Sequence, residues 1–165
     1  MEISVKKLNN ALERYMTKTG QFAPSDFMFD KDSDEEYMYI AVRQIYIIRV
    51  RKSDITTDVY PLGGHDYGTL ERAIQTCVEY PNHVEYQPGE IEKLNTGISV
   101  MNFYSPKGYR ISINTKLFKE FYNQSIVDKG VPDNITFSAV EGIDKSPLIM
   151  WENDEAIGMF MPIKR

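Results

Sequence analysis

The last third of the chain, residues 109–165, most strongly limits the folds that this sequence can adopt. Residues 109–114 alternate polar and apolar side chains, which is typical of a half-buried strand. Asn114 or Thr115 can then cap an amphipathic segment, residues 116–124. The apolar stripe of this segment consists of Leu117, Phe118, Phe121 and Tyr122. The pattern therefore predicts a strand that leads directly into a helix.

The remainder of this third predicts three further strands. Residues 134–140 alternate again, and two apolar runs, 147–151 and 157–163, flank the turn-forming residues 152–155. We therefore expect an antiparallel hairpin near residue 163.

The first half predicts a helix, two strong strands and a second helix. Apolar residues recur at helical spacing over 8–16, with Gly20 placed as a C-terminal cap. Residues 37–42 and 45–51 are rich in β-branched and aromatic residues, and the second run is apolar on both faces, as in a central strand covered on both sides. A helical stripe over 69–80 places Cys77 in the core rather than in the role of a nucleophile.

The other segments of the chain carry weaker patterns. Residues 81–88 suggest a loop or short edge strand, residues 90–94 one turn of helix, and residues 55–60 another strand. Residues 97–104 and 109–114 flank a good hairpin turn.

Together these patterns predict an α+β fold with antiparallel sheets and two or three amphipathic helices. A chain of 165 residues fits a single domain, 1–165. We divide it into two halves of the strand-helix-strands type, 1–60 and 97–165, with an intervening helical segment, 61–96.

Composition excludes several classes of protein. No apolar run approaches the ~20 residues that a membrane helix needs, and the N-terminus lacks a signal pattern, so we expect a soluble, cytoplasmic protein. One cysteine and two histidines disfavour a disulfide and a zinc site, and the acidic residues 30–36 lack the glycine of a calcium loop. We expect neither a metal nor another cofactor.

The distribution of charge is more informative than the net charge of −5. Cations concentrate on two of the predicted helices, one within residues 4–20 and one within residues 114–124. They are Lys6, Lys7, Arg14 and Lys18 in the first, and Lys116 and Lys119 in the second. The alternative is that these side chains only solvate two amphipathic helices.

Catalytic patterns are weak. His65 follows two glycines, but the sequence identifies no partner within hydrogen-bond reach, and His83 in a predicted loop is weaker still. Eleven tyrosines and eight phenylalanines suggest base stacking, yet most occupy strand positions that favour packing. Tyr109 is among those for which both interpretations stay open, and cations accompany aromatics only on the two helices. We therefore expect a protein that binds rather than catalyses.

Residues 1–20 and 109–165 resemble a domain of the bacterial DNA polymerase sliding clamp. The opening, in which a short strand runs into a helix, and the ending, Met161, Pro162, Ile163, Lys164 and Arg165, carry the likeness together with the strand-helix-hairpin order. The resemblance implies a processivity factor in DNA replication: an oligomeric ring that encircles duplex DNA without sequence specificity and grips a peptide of a polymerase. It implies no catalytic residue.

The resemblance also implies residue roles. DNA would face Lys6, Lys7, Arg14, Lys18, Lys116 and Lys119. A partner peptide would bind at Met161, Pro162 and Ile163, although an ordinary buried hairpin strand explains these residues equally well. Clamps of this family carry several such domains in one chain, so a ring would require self-assembly.

Two alternatives stay open. The chain can be a monomeric interaction protein, as a phage or mobile element encodes, that binds replication proteins. It can also be an enzyme that uses His65 and nearby carboxylates.

Overall fold

The computed structural model describes residues 1–16, 27–30, 36–43, 45–56, 69–143 and 145–165. The helices are α1 (Val5–Met16), α2 (Thr69–Val78) and α3 (Ile126–Lys129), with single 3₁₀ turns at Lys52–Asp54 and Thr115–Phe118. The strands are β1 (Phe27–Asp30), β2 (Tyr37–Val42), β3 (Tyr46–Arg51), β4 (His83–Lys93), β5 (Ser99–Tyr104), β6 (Arg110–Asn114), β7 (Ile135–Val140), β8 (Leu148–Glu152) and β9 (Glu155–Phe160). Lys18, Gly20, the acidic residues 31–35 and His65 lie outside the described residues.

The described strands form one antiparallel sheet in the order β1-β2-β3-β9-β8-β7-β4-β5-β6. Strands β1 to β3 come from the first half of the chain. They are joined to the strands of the second half where β3 pairs with β9, with Ile47 opposite Met159. The α+β fold predicted from the sequence is therefore confirmed.

Strand β4 bends the sheet, because its two ends pair with different partners. Its first residues pair with β7, and its last residues pair with β5. The register with β5 shifts between Pro88 and Ile91. Gly89 lies in this bulge, and a Cβ atom there would come within 2.7 Å of the Tyr104 ring, so no larger residue fits without a shift.

The main core is rich in aromatic rings. Phe103 and Phe137 have ring centroids 4.6 Å apart, and Phe118 and Phe160 have centroids 4.8 Å apart. Leu8 and Leu12 of α1 reach the same cluster. Helix α1 therefore covers the face of the sheet that contributes to this core.

Helix α2 covers the opposite side. Leu70 and Ile74 pack with Ile47 of β3, Ile149 of β8 and Met159 of β9 in a second apolar cluster. Cys77 packs against this cluster, half-buried, and burial raises the pKa of its thiol. The predictions that β3 is central and that Cys77 belongs to the core are confirmed.

Two predicted elements differ from the structure. Residues 116–124 do not form one helix: the 3₁₀ turn ends at Phe118, and α3 starts only at Ile126. The reason is that the backbone between them bonds to the N-terminal segment, with Ser4 N–H donating to Phe121 O (2.6 Å) and Asn123 N–H to Glu2 O (3.0 Å).

The second correction concerns the segment 61–96, which is not wholly helical. After α2, residues that were predicted as a loop and a helical turn form β4, an eleven-residue interior strand. The sequence does not indicate this strand, because it is mostly polar and only Tyr86 among its residues is fully buried. The first two residues of the weak 55–60 strand are not in a strand, and the remainder lies outside the described residues.

None of the helices in the described part of the chain is long and apolar enough to cross a membrane.

Candidate nucleic-acid interface

Helix α1 lies next to the segment that follows the 3₁₀ turn, because Lys7 Nζ donates to the carbonyls of Lys119 and Tyr122. Helix α1 buries Leu8, Ala11 and Leu12, while the 3₁₀ turn buries Leu117 and Phe118 in the same core. Each segment thereby turns its cationic side outward. We call the surface formed by Lys6, Lys7, Arg14, Lys116 and Lys119 the helical surface; all five side chains are exposed.

Five of the six cations that the sequence singled out are exposed, and Lys7 lies next to the backbone of Lys119, while Lys18 lies outside the described residues. Their charges are partly satisfied within the protein. Lys7 Nζ donates to the carbonyls of Tyr122 (3.2 Å) and Lys119 (3.4 Å), and Lys119 Nζ lies 3.4 Å from Asp128 Oδ1. Lys6 and Lys116 therefore carry the more available positive charge.

Glu120 secures the helical surface to the sheet. Its Oε2 atom accepts hydrogen bonds from the Tyr46 hydroxyl and from Arg43, both at 2.7 Å. Burial and the neighbouring Glu120 carboxylate raise the pKa of Tyr46, so its hydroxyl stays protonated and remains a donor. The position of the 3₁₀ turn is thereby tied to β3.

The proposed peptide-binding residues lie just beyond β9. We call residues 161–165 the tail. The Met161 N–H donates to Ile45 O and the Ile163 N–H to Ser112 O, each at 2.8 Å, so the tail runs from the start of β3 to β6. Met161 is 36% exposed, and Pro162 and Ile163 are half-buried. The predicted strand 157–163 therefore ends three residues early, at Phe160, and the tail lies on the surface of the sheet rather than wholly within the core.

Pro162 and Ile163 line a groove of about 410 Å³, which we call the C-terminal groove. Four separate parts of the chain build it: the tail, the start of β6 with the residue before it, the turn between β7 and β8, and Tyr86 of β4. Its lining side chains include Tyr86, Tyr109, Arg110, Ile143, Lys145, Pro162, Ile163, Lys164 and Arg165. Four of these are cations, and none of the described lining residues is a carboxylate.

Arg165 fastens the tail to β4, β5 and β6. Its guanidinium donates to Glu92 Oε1 (2.7 Å) and Ser112 Oγ (3.2 Å), while Ser112 Oγ donates to the fully buried Asn102 Oδ1 (2.6 Å). Asn102 Nδ2 donates in turn to Glu90 and Glu92, each at 3.0 Å. The hydrogen bonds from Arg165 and Asn102 lower the pKa of Glu92.

The two tyrosines of the groove play different parts. Tyr86 is buried and forms part of the floor, where burial and the nearby Glu141 raise its pKa. Tyr109 is 49% exposed at the rim. The sequence did not place Tyr109 in this groove, because the groove cations other than Arg110 come from residues more than 30 positions away.

Side chains capable of catalysis meet in one other place. The ring Nε2 of His83 lies 2.6 Å from Ser138 Oγ, which also accepts from Trp151 Nε1 at 2.6 Å. Ser138 is buried, and burial lowers the pKa of His83, so this cluster bridges β4, β7 and β8 as a neutral polar contact. His83 lies in a strand, not in the loop expected from the sequence. Within the described residues, no group of three histidine, cysteine, aspartate or glutamate side chains is arranged to hold a metal ion.

Comparisons of the chain with protein-family models, curated proteins and solved structures find no match. The likeness to the sliding clamp therefore rests on the residues of this chain, and it stays a prediction.

Proposed function

We propose that this protein is a non-catalytic accessory factor of DNA replication that holds duplex DNA without sequence specificity through its helical surface. One observation carries the proposal: Lys7 of α1 bonds to the backbone of Lys119 and Tyr122 just after the 3₁₀ turn, and the cations of both segments are exposed. Lysines on adjacent short helices contact phosphates rather than bases, which supports affinity without specificity. We place this activity in the cytoplasm.

Retention on DNA in this proposal depends on self-assembly. The resemblance to one clamp domain requires several copies to close a ring around the duplex. Light scattering at several protein concentrations measures the solution mass: a closed oligomer supports encirclement, and a persistent monomer rules out encirclement by this chain alone.

The decisive experiment measures the affinity for a fluorescein-labelled 20-base-pair duplex by anisotropy at several salt concentrations. In the variant Lys6→Ala/Lys116→Ala, we expect weaker binding and a salt slope (log affinity against log salt) that is smaller by about 2, because roughly one counterion is released for each phosphate contact. The matched control is Arg72→Ala/Lys93→Ala, which removes the same charge from exposed residues outside the helical surface. Equal losses in both variants would contradict the proposal.

A second candidate function, binding a polymerase peptide, is favoured by the position of the tail. Met161 is exposed, and Pro162 and Ile163 form an apolar wall of the C-terminal groove, where an apolar anchor of a peptide can pack. For this candidate, Ile163→Asp abolishes binding to a purified bacterial replicative polymerase in calorimetry, whereas Lys6→Ala/Lys116→Ala leaves that binding unchanged.

A further inference from the structure

We propose that the C-terminal groove is a second nucleic-acid site, which binds a single strand: Arg110, Lys145 and Lys164 contact its phosphates, and Tyr109 stacks on a base. This inference does not depend on the helical surface. It concerns a different part of the molecule and a different form of nucleic acid.

The charge of the groove is the first argument. The protein as a whole has a net charge of −5, yet the groove is lined by four cations and, among its described lining residues, by no carboxylate. Arg165 is paired with Glu92, whereas no ion pair in the described part of the chain involves Lys145 or Lys164. Glu92 faces Arg165 and Arg110, and Glu141 lies near Tyr86, so the positive charge available to a ligand comes mainly from Lys145 and Lys164, and it suits a polyanion.

The apolar surface of the groove is the second argument. Tyr109 is 49% exposed and Ile143 is 46% exposed, both on the groove, with Pro162 and Ile163 beside them. Bases present flat apolar faces that stack on aromatic rings without regard to sequence. Cations and an exposed aromatic ring together thus match both parts of a nucleotide.

Other occupants use only part of this surface. Bases in a duplex are stacked on one another, so a duplex would offer the Tyr109 ring no free base face. A peptide with apolar anchors would pack against Pro162 and Ile163 but would leave the cations of the groove without an anionic partner. An acidic peptide would pair the cations without needing the exposed ring. Only a single strand uses the phosphate-binding and stacking groups at once.

The groove is also held in shape before any ligand arrives. The guanidinium of Arg165 anchors the tail to Glu92 and Ser112, and the Ile163 N–H bonds to Ser112 O. Lys164 lies between these two anchored residues. Binding therefore orders little additional backbone, which lowers its entropic cost.

The test uses the full chain and a fluorescein-labelled DNA 15-mer of mixed sequence without self-complementarity, at several salt concentrations. Tyr109→Ala should weaken binding about fivefold or more, the range for loss of one stacked base, while Tyr109→Phe keeps the ring and should bind like the wild type. Lys145→Ala/Lys164→Ala should lower the salt slope by about 1.4, since each single-strand phosphate contact contributes about 0.7. Circular dichroism melts verify that each variant is folded.

The controls separate this inference from the proposed function. Lys6→Ala/Lys116→Ala should weaken duplex binding and leave 15-mer binding unchanged, while the groove variants should show the reverse. Absence of 15-mer binding by the wild type, or equal binding by Tyr109→Ala and the wild type, would overturn the inference. Displacement of the 15-mer by a poly-glutamate peptide, together with insensitivity to Tyr109→Ala, would assign the groove to acidic peptides instead.

Discussion

The helical surface and the C-terminal groove carry similar numbers of cations but differ in what surrounds them. On the helical surface, Lys7 donates to two carbonyl groups and Lys119 pairs with Asp128. In the groove, Lys145 and Lys164 have no ion-pair partner among the described residues, and an exposed tyrosine lies beside them. A count of lysines on a helix therefore overstates the positive charge available to a ligand, because some of these lysines already have partners within the protein.

The two regions also differ in how they are attached to the core. The helical surface rests on side chains that insert directly among the aromatic rings, such as Phe118. The groove depends on a surface tail that polar contacts hold in place. The second arrangement should therefore respond to changes of pH through Glu92.

The largest expected effect comes from the core residue beneath the helical surface. Phe118→Ala removes ring contacts with Phe103, Phe137 and Phe160 and should lower the free energy of unfolding by about 3–5 kcal/mol. Urea titration followed by circular dichroism measures this as a lower midpoint with an unchanged slope. Phe118→Leu, which keeps most of the apolar volume, should lose much less. A loss in Phe118→Ala as small as that in Phe118→Leu would show that the helical surface is not anchored in this way.

An intermediate effect is expected at the anchor of the groove. Arg165→Ala should lower the melting temperature by about 2–4 °C at pH 7, the shift for a modest loss in a domain of this size. Since Arg165 lowers the pKa of Glu92 in the folded state, its contribution is present above the unfolded pKa of about 4.3 and is lost as pH falls through the folded value.

The measurement is a series of melts of the wild type and Arg165→Ala from pH 7 to pH 3. The difference between the two should be constant above about pH 5 and shrink below about pH 4. Arg165→Lys, which keeps the charge but not the forked donor, should fall between them. A difference that does not shrink at all as the pH falls below about 4 would mean that Glu92 does not contribute to holding the tail.

The smallest expected effect tests the comparison most directly. Because Lys7 Nζ is engaged by the carbonyls of Lys119 and Tyr122, Lys7→Ala should weaken duplex binding less than Lys6→Ala does. The stability change should stay within about 0.5–1 kcal/mol, as for an exposed hydrogen bond. Anisotropy with the 20-base-pair duplex compares the two variants. Equal losses would remove the distinction between engaged and available lysines on this surface.

Local patterns were sufficient for much of the fold. The prediction of 37–42 as a strand matches β2 to the residue, and Asn114 accepts a hydrogen bond from the Lys116 N–H as the expected cap. The predicted turn between β8 and β9 is also present, with Asn153 and Asp154 in the left-handed region (φ 49° and 69°). In each case residues close in sequence supply the deciding interactions, so the sequence pattern reports them directly.

The helix predicted over 116–124 shows where local patterns no longer predict the structure. Its apolar residues are buried as expected. However, the Phe121 carbonyl accepts a hydrogen bond from the N–H of Ser4, so the segment does not continue as a helix. Strand β4 was not predicted for a similar reason. Its polar residues are held in the sheet by backbone pairing to β5 and β7 rather than by burial. Contacts between residues distant in sequence decide both outcomes.

The sequence by itself determined the antiparallel α+β class, most of the strands and the exposure of the cations on α1, because each depends on periodicity within a short segment. Only the tertiary structure decided that Tyr109, Lys145 and Lys164 share one groove. These residues belong to three segments that meet because the bend in β4 and the tail bonded to Ser112 bring them together. A surface built from distant segments leaves no local pattern in the sequence.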